Sequence, residues 1–212
     1  MVLAGDIGGT NTRLALLEGT PDRLVPVVVE TFPSAQHKGL EEIVRIFLTK
    51  NKQEPQAACF GVAGPVRDGR SQVTNLPWVV DAREMARDLA MDEVHLLNDL
   101  EANAHGIALL SETDFVVLNA GVPSPNGNRV LISAGTGLGE AGLLAEPDGS
   151  YRPFPSEGGH VDFAPRNELE MDLLRYLMGR YEHVSYERVL SGPGLHNIHE
   201  FLRDTGREEE PA

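Results

Sequence analysis

Ala4-Gly5-Asp6-Ile7-Gly8-Gly9-Thr10-Asn11-Thr12-Arg13-Leu14-Ala15-Leu16-Leu17 sets two glycines and a Thr-Asn-Thr run between two apolar stretches. Its pattern predicts strand, tight turn, strand. Glycines tolerate positive φ and admit a ligand close to the backbone. Successive backbone N–H groups in such a turn form an anion-binding concavity, to which Thr10 and Asn11 add side-chain donors. Asp6, at the strand end, can hold a hydrated cation. The parts suit a magnesium-bound polyphosphate, with an ordinary glycine-rich hairpin as the alternative. A Walker A loop is excluded, because no Gly-Lys-Ser/Thr follows and the turn leads into a strand.

Apolar runs at 2–7, 12–18 and 24–32 predict a three-stranded meander, with Pro26 and Pro33 weakening the edges of the third. Leu40, Ile43, Val44 and Phe47 recur at helical spacing and predict a helix near 39–50. A buried strand over 57–63 ends at Gly64-Pro65, and a small hairpin fits 66–75. Asp81 is placed to cap a helix carrying Met85 and Leu89. A strand at 94–97 and a helix through Leu110 follow. This alternation is an α/β layout. Loop chemistry from Pro123 to Asn128 places a boundary between a small N-terminal α/β domain, 1–110, and a partial large domain, 111–212.

Arg129 to Leu144 repeats the opening architecture: strand, the glycine turn Gly135-Thr136-Gly137, strand. At an offset of 127 residues Gly8 meets Gly135, Leu16 meets Leu143 and Leu17 meets Leu144. Two such halves predict two phosphate-type turns across a cleft. Helices are expected at 167–180, 185–190 and 195–204, and the tail Arg207–Ala212 is expected to fray.

The chain has 212 residues, 41% of them hydrophobic, and a formal net charge of −14 from 32 acids and 18 bases. That balance argues against nucleic-acid or acidic-membrane partners, which need a basic face. A single cysteine, Cys59, excludes a disulfide framework and a cysteine-rich zinc site. No apolar run is long enough to span a membrane, so a cytoplasmic protein is expected.

Asn98-Asp99 follows a strand, at the end of the sheet where α/β folds bind ligands. A carboxylate there can accept a proton from a substrate hydroxyl as a phosphoryl group arrives; equally, Asp99 can cap the next helix. Glu157 and His160, in a Gly- and Pro-rich loop, suit a polyol. Tyr186 to Gly194 reads as a helix stop with a glycine cap, or as part of a site. Trp78, beside Asn75, can border a sugar pocket, although core packing is the commoner fate of a tryptophan. His196 and His199 are read as surface residues.

Asp6–Asn11, Gly61–Val66, Thr74–Trp78, Asn98-Asp99, Ser133–Gly139, Glu157–His160 and Glu187–Gly192 stand in an order that resembles the bacterial-type ATP-dependent glucokinases. The resemblance covers about residues 1 to 204 and implies the duplicated actin-like ATPase (ribonuclease H-like) fold, its second domain incomplete. It implies phosphoryl transfer from Mg²⁺·ATP to the 6-hydroxyl of glucose, giving glucose 6-phosphate. Asp6 would position Mg²⁺. Gly8, Gly9, Thr10 and Asn11 would contact the outer phosphates, and Gly135, Thr136 and Gly137 would cradle phosphates from the other domain. Asp99 would be the general base, with Asn98, Glu157, His160 and Glu187 on the sugar hydroxyls and Gly64, Pro65 and Asn75 lining the pocket. Members of the family are often dimers, so a homodimer stays open. They also run on well beyond this length. The shortness leaves an alternative: a shortened, non-catalytic sugar-binding or regulatory protein derived from a glucokinase.

Overall fold

The computed structural model describes residues 1–20, 23–122, 124 and 126–207. Pro123 and Pro125 of the expected boundary loop, and the expected frayed tail from Glu208 to Ala212, lie outside the described residues. The chain divides into two compact units, Met1–Leu109 and Leu110–Ala212.

In the first unit, β1 (Val2–Ile7), β2 (Asn11–Thr20) and β3 (Arg23–Pro33) form the expected antiparallel meander. Pro26 and Pro33 both lie inside β3, which is tolerated because β3 is an edge strand with no ladder to feed on its outer side. A register shift opposite Leu16/Leu17 absorbs the irregularity. Helix α1 (Leu40–Asn51) then leads to β4 (Ala57–Val62), which pairs parallel with β1. A three-stranded flap follows: β5 (Val66–Arg67), β6 (Arg70–Gln72) and β7 (Val79–Asp81). Asp81 caps α2 (Ala82–Asp88), accepting from the Arg83 and Glu84 amides. Strand β8 (Glu93–Asn98) completes the sheet order β3-β2-β1-β4-β8 and feeds α3 (Asp99–Gly106). Helix α3 stops short of Leu110, giving way to a 3-10 turn over Ile107–Leu109.

Alternate residues of the sheet point into one core. Leu3, Ile7, Leu14, Leu16, Phe60 and Val62 are fully buried with Ile43, Val44 and Phe47 of α1. Trp78 belongs to this core and is 3% exposed, so packing is its role.

The second unit opens with the antiparallel sheet β11-β10-β9, made of β9 (Arg129–Ala134), β10 (Leu138–Ala145) and β11 (Tyr151–Ser156). The 127-residue offset carries β1 onto β9 residue for residue. Helix α4 (Glu168–Met178) starts at the cap Asn167. The expected helix at 185–190 is a single 3-10 turn, Tyr186–Arg188. Helix α5 (Gly192–Asp204) begins three residues before the expected 195. Gly192-Pro193-Gly194 therefore opens a helix rather than closing one: Ser191 accepts from the Gly194 amide, and a proline in the first turn forgoes an N–H that has no helical partner there. Phe163, Leu173, Leu177, Val184 and Phe201 form a separate, smaller core. Among the described residues no helix is long and apolar enough to cross a membrane.

Candidate active site

The predicted site residues fall into two sets, one in each unit. In the first, the Gly8–Asn11 turn closes β1 onto β2, with the Gly8 amide donating to the Asn11 carbonyl at 2.9 Å. The turn is braced from β3's end. Ser34 Oγ donates to the Gly8 carbonyl at 2.8 Å, shares a hydrogen bond with Thr12 Oγ1 at 3.0 Å, and its amide donates to the Thr10 carbonyl at 2.9 Å. Both hydroxyl residues are fully buried. Sequence reasoning missed this brace, since nothing local links Ser34 to a turn 26 positions earlier; only the polar pair inside an apolar pattern hints at it.

Asn75 lies against the same turn: a Cβ on Gly9 would stand 2.9 Å from the Thr74 carbonyl and 3.3 Å from the Asn75 Cβ. Asn75 adopts φ +64°, a left-handed conformation that asparagine tolerates better than most residues. The end of β1 continues into this loop, because the Ala63 amide donates to Ile7 and the Thr74 amide to Ala63.

Asn98, not Asp99, caps α3. Its Oδ1 accepts from the Leu100 and Glu101 amides at 3.0 and 3.3 Å, while its Nδ2 donates to the Gly64 carbonyl at 3.1 Å. One side chain thus starts the helix and ties down the Gly64-Pro65 turn. Asp99 occupies the first helical position, half-buried, with Oδ1 accepting from the Leu100 amide at 2.9 Å. Burial raises its pKa above the ordinary aspartate value, and the charge of Asp6 raises it further against the lowering effect of the Leu100 amide. Asp6, Thr10 and Asn11 are exposed.

No group of three or more His, Cys, Asp or Glu side chains forms a metal cage among the described residues. Magnesium is commonly held by one or two carboxylates with water and substrate phosphates. The exposed Asp6 carboxylate, a hard oxygen donor whose charge reaches Asp99, fits that use.

In the second unit, Gly135-Thr136-Gly137 joins β9 to β10, the Gly135 amide donating to the Gly137 carbonyl at 2.8 Å. Glu187 Oε2 accepts from the Leu138 amide at 3.0 Å, and the Gly192 amide donates to the Gly135 carbonyl at 2.8 Å. Glu157 precedes a 3-10 turn that ends at His160 and whose Gly159 sits against the Leu138 carbonyl. Their side chains are exposed and 3.9 Å apart. Glycine turn, Glu157–His160 loop and Glu187 therefore gather at the start of β10. A broad concavity of about 980 Å³ lies elsewhere, at the N-terminal ends of β4 and β8 near Arg45, Lys52 and Asp92. It is at the wrong end of the parallel strands for a ligand site.

A family model described as Glucokinase matches residues 3–212. The chain is 43% identical over 208 residues to a glucokinase of Nostoc punctiforme, covering 96% of this chain and 61% of that relative. It is 41% identical over 223 residues to a glucokinase of Synechocystis, covering 99% and 63%. Among solved structures, a glucokinase from an Antarctic psychrotroph superposes with a TM-score of 0.81 at 33% identity, covering 100% of this chain and 67% of that one. A Balamuthia mandrillaris glucokinase in complex with glucose superposes at 0.74 with 25% identity, covering 99% and 64%. The chain spans about three fifths of the length of these curated relatives. With its mixed α/β architecture of the actin-like ATPase type, the chain belongs to the glucokinase family.

Proposed function

We propose that the chain carries the sugar- and phosphate-handling residues of a glucokinase, which moves the γ-phosphoryl group of ATP to the 6-hydroxyl of glucose. The observation that carries this is Asp99: a half-buried carboxylate at the carboxyl end of β8, its proton affinity raised, within electrostatic reach of an exposed second carboxylate, Asp6. The glucose-bound Balamuthia relative supports glucose as the sugar.

In this reading Asp99 orients the 6-hydroxyl and takes its proton as the oxygen–phosphorus bond forms and ADP departs. Asn98, Glu157, His160 and Glu187 fix the other hydroxyls, with Gly64, Pro65 and Asn75 as pocket wall. Gly8, Gly9, Thr10 and Asn11, and Gly135, Thr136 and Gly137, hold the phosphates. Asp6 would hold Mg²⁺, which when bound offsets phosphate charge. A cytoplasmic location belongs to the same proposal, supported by the ATP substrate and the lone half-buried thiol of Cys59.

A coupled assay for glucose 6-phosphate, run beside calorimetric titration with glucose, tests it. Wild type should turn over. Asp99→Ala should lose about 10²- to 10⁴-fold in rate, the usual contribution of a general base, while glucose affinity stays within a few-fold. Near-normal turnover in that variant removes Asp99 as base. Glucose binding without product in wild type reassigns the chain to sugar binding alone.

A further inference from the structure

Glu187 is built into the second glycine turn from both sides. Its Oε2 accepts from the Leu138 amide, the first residue after the turn, at 3.0 Å. A Cβ on Gly137 would lie 2.5 Å from that same oxygen, so any side chain at 137 would expel the carboxylate. The backbone of Glu187 is anchored as well: Ser191 Oγ donates to its carbonyl at 2.7 Å, and Asn197 Nδ2 donates to the Arg188 carbonyl at 2.8 Å. Asn197 is only 4% exposed and is itself held by the Tyr181 hydroxyl at 3.1 Å. What freedom remains lies in the Glu187 side chain. An ionised carboxylate has about four acceptor sites, and Oε1 has no hydrogen-bond partner among the described residues.

We propose that Glu187 is a positioning residue that couples the two ligands: Oε2 holds the Gly135–Gly137 phosphate turn while Oε1 takes a sugar hydroxyl. Sugar occupancy then steadies the turn and tightens nucleotide binding. The inference rests on the sugar-binding reading of Glu187 given above. A hydroxyl on Oε1 restricts the side-chain rotamer, so the nucleotide meets a turn already ordered. Linkage requires the reverse effect too, with nucleotide tightening sugar by the same factor.

The test uses the whole chain with Mg²⁺ and AMPPNP, which prevents turnover in the ternary complex. Calorimetry gives the AMPPNP Kd with and without saturating glucose, and amide hydrogen exchange reads Leu138 directly. In wild type, glucose should lower the AMPPNP Kd about 5-fold or more, a usual size for coupling between sites. Glu187→Ala should expose the Leu138 amide to exchange and abolish the glucose effect. Glu187→Gln keeps an oxygen that can accept from Leu138, so protection should persist. Unchanged Leu138 exchange in Glu187→Ala, or a glucose effect that survives there, overturns the coupling. If Glu187→Ala leaves glucose affinity untouched, the sugar reading of Glu187 fails, and the coupling with it. If glucose affinity falls but Leu138 exchange does not move, the sugar reading stands and the coupling alone is lost.

Discussion

Asp99 carries a cost that its place in the fold imposes. Burial raises its pKa on folding, with Asp6 adding to the shift, so the folded chain holds this proton more tightly than the unfolded one. Below the ordinary aspartate range both states are protonated and the cost vanishes. As pH rises through the raised folded pKa, the stability contributed by this site falls. Asp99→Asn should therefore melt no lower than wild type at pH 7, the difference closing on acidification, while turnover drops about 10²- to 10⁴-fold. Thermal melts across pH check the first outcome. The acid limb of the kcat/KM profile should lie above the ordinary aspartate range for the same reason. The positions of Asp99 and Asp6 were legible in the sequence because their setting is local: Asp99 follows a strand, and Asp6 precedes a glycine turn. Ser34 was not legible, because its partners Gly8 and Thr12 meet it only once the meander has closed.

A helix start and a turn each depend on a single side chain. Asn98 caps α3 and tethers Gly64, so Asn98→Ala should cost about 1 kcal/mol from the cap alone, read as a lowered urea midpoint. Ser34→Ala would strand the buried Thr12 hydroxyl and the Gly8 carbonyl, a loss of about 1–3 kcal/mol. It should also weaken AMPPNP binding, because the first turn loses its brace; an unchanged Kd would show that the turn needs none. Strand β11 escaped the sequence reading because Pro153 and Pro155 break its pattern, yet both are accommodated on an edge strand. The start of α5 was misread because Gly192-Pro193-Gly194 resembles a stop, whereas Ser191 and the proline together are a start signal.

Across the whole molecule, the repeat of strand, glycine turn and strand was readable, but its surroundings were not. Leu3 of β1 is fully buried, whereas Val130, its equivalent in β9, is 68% exposed. On its second edge β1 has β4, while β9 has no strand there among the described residues. With Ile132 and the exposed run Val116–Leu118 nearby in sequence, such an edge invites pairing with other chains. The chain should self-associate as its concentration rises, and Val130→Lys with Ile132→Lys should raise the monomer fraction in sedimentation velocity without lowering the melting temperature of the first unit. The brace on the first turn carries a different lesson. Ser34 follows directly from β3, the outermost strand of its sheet and so the one with fewest neighbours to restrain it. On warming, that margin should come loose ahead of the interior, and with it the nucleotide binding proposed for the first turn. Affinity for AMPPNP should therefore fade at temperatures where the far-ultraviolet signal of the fold is still intact.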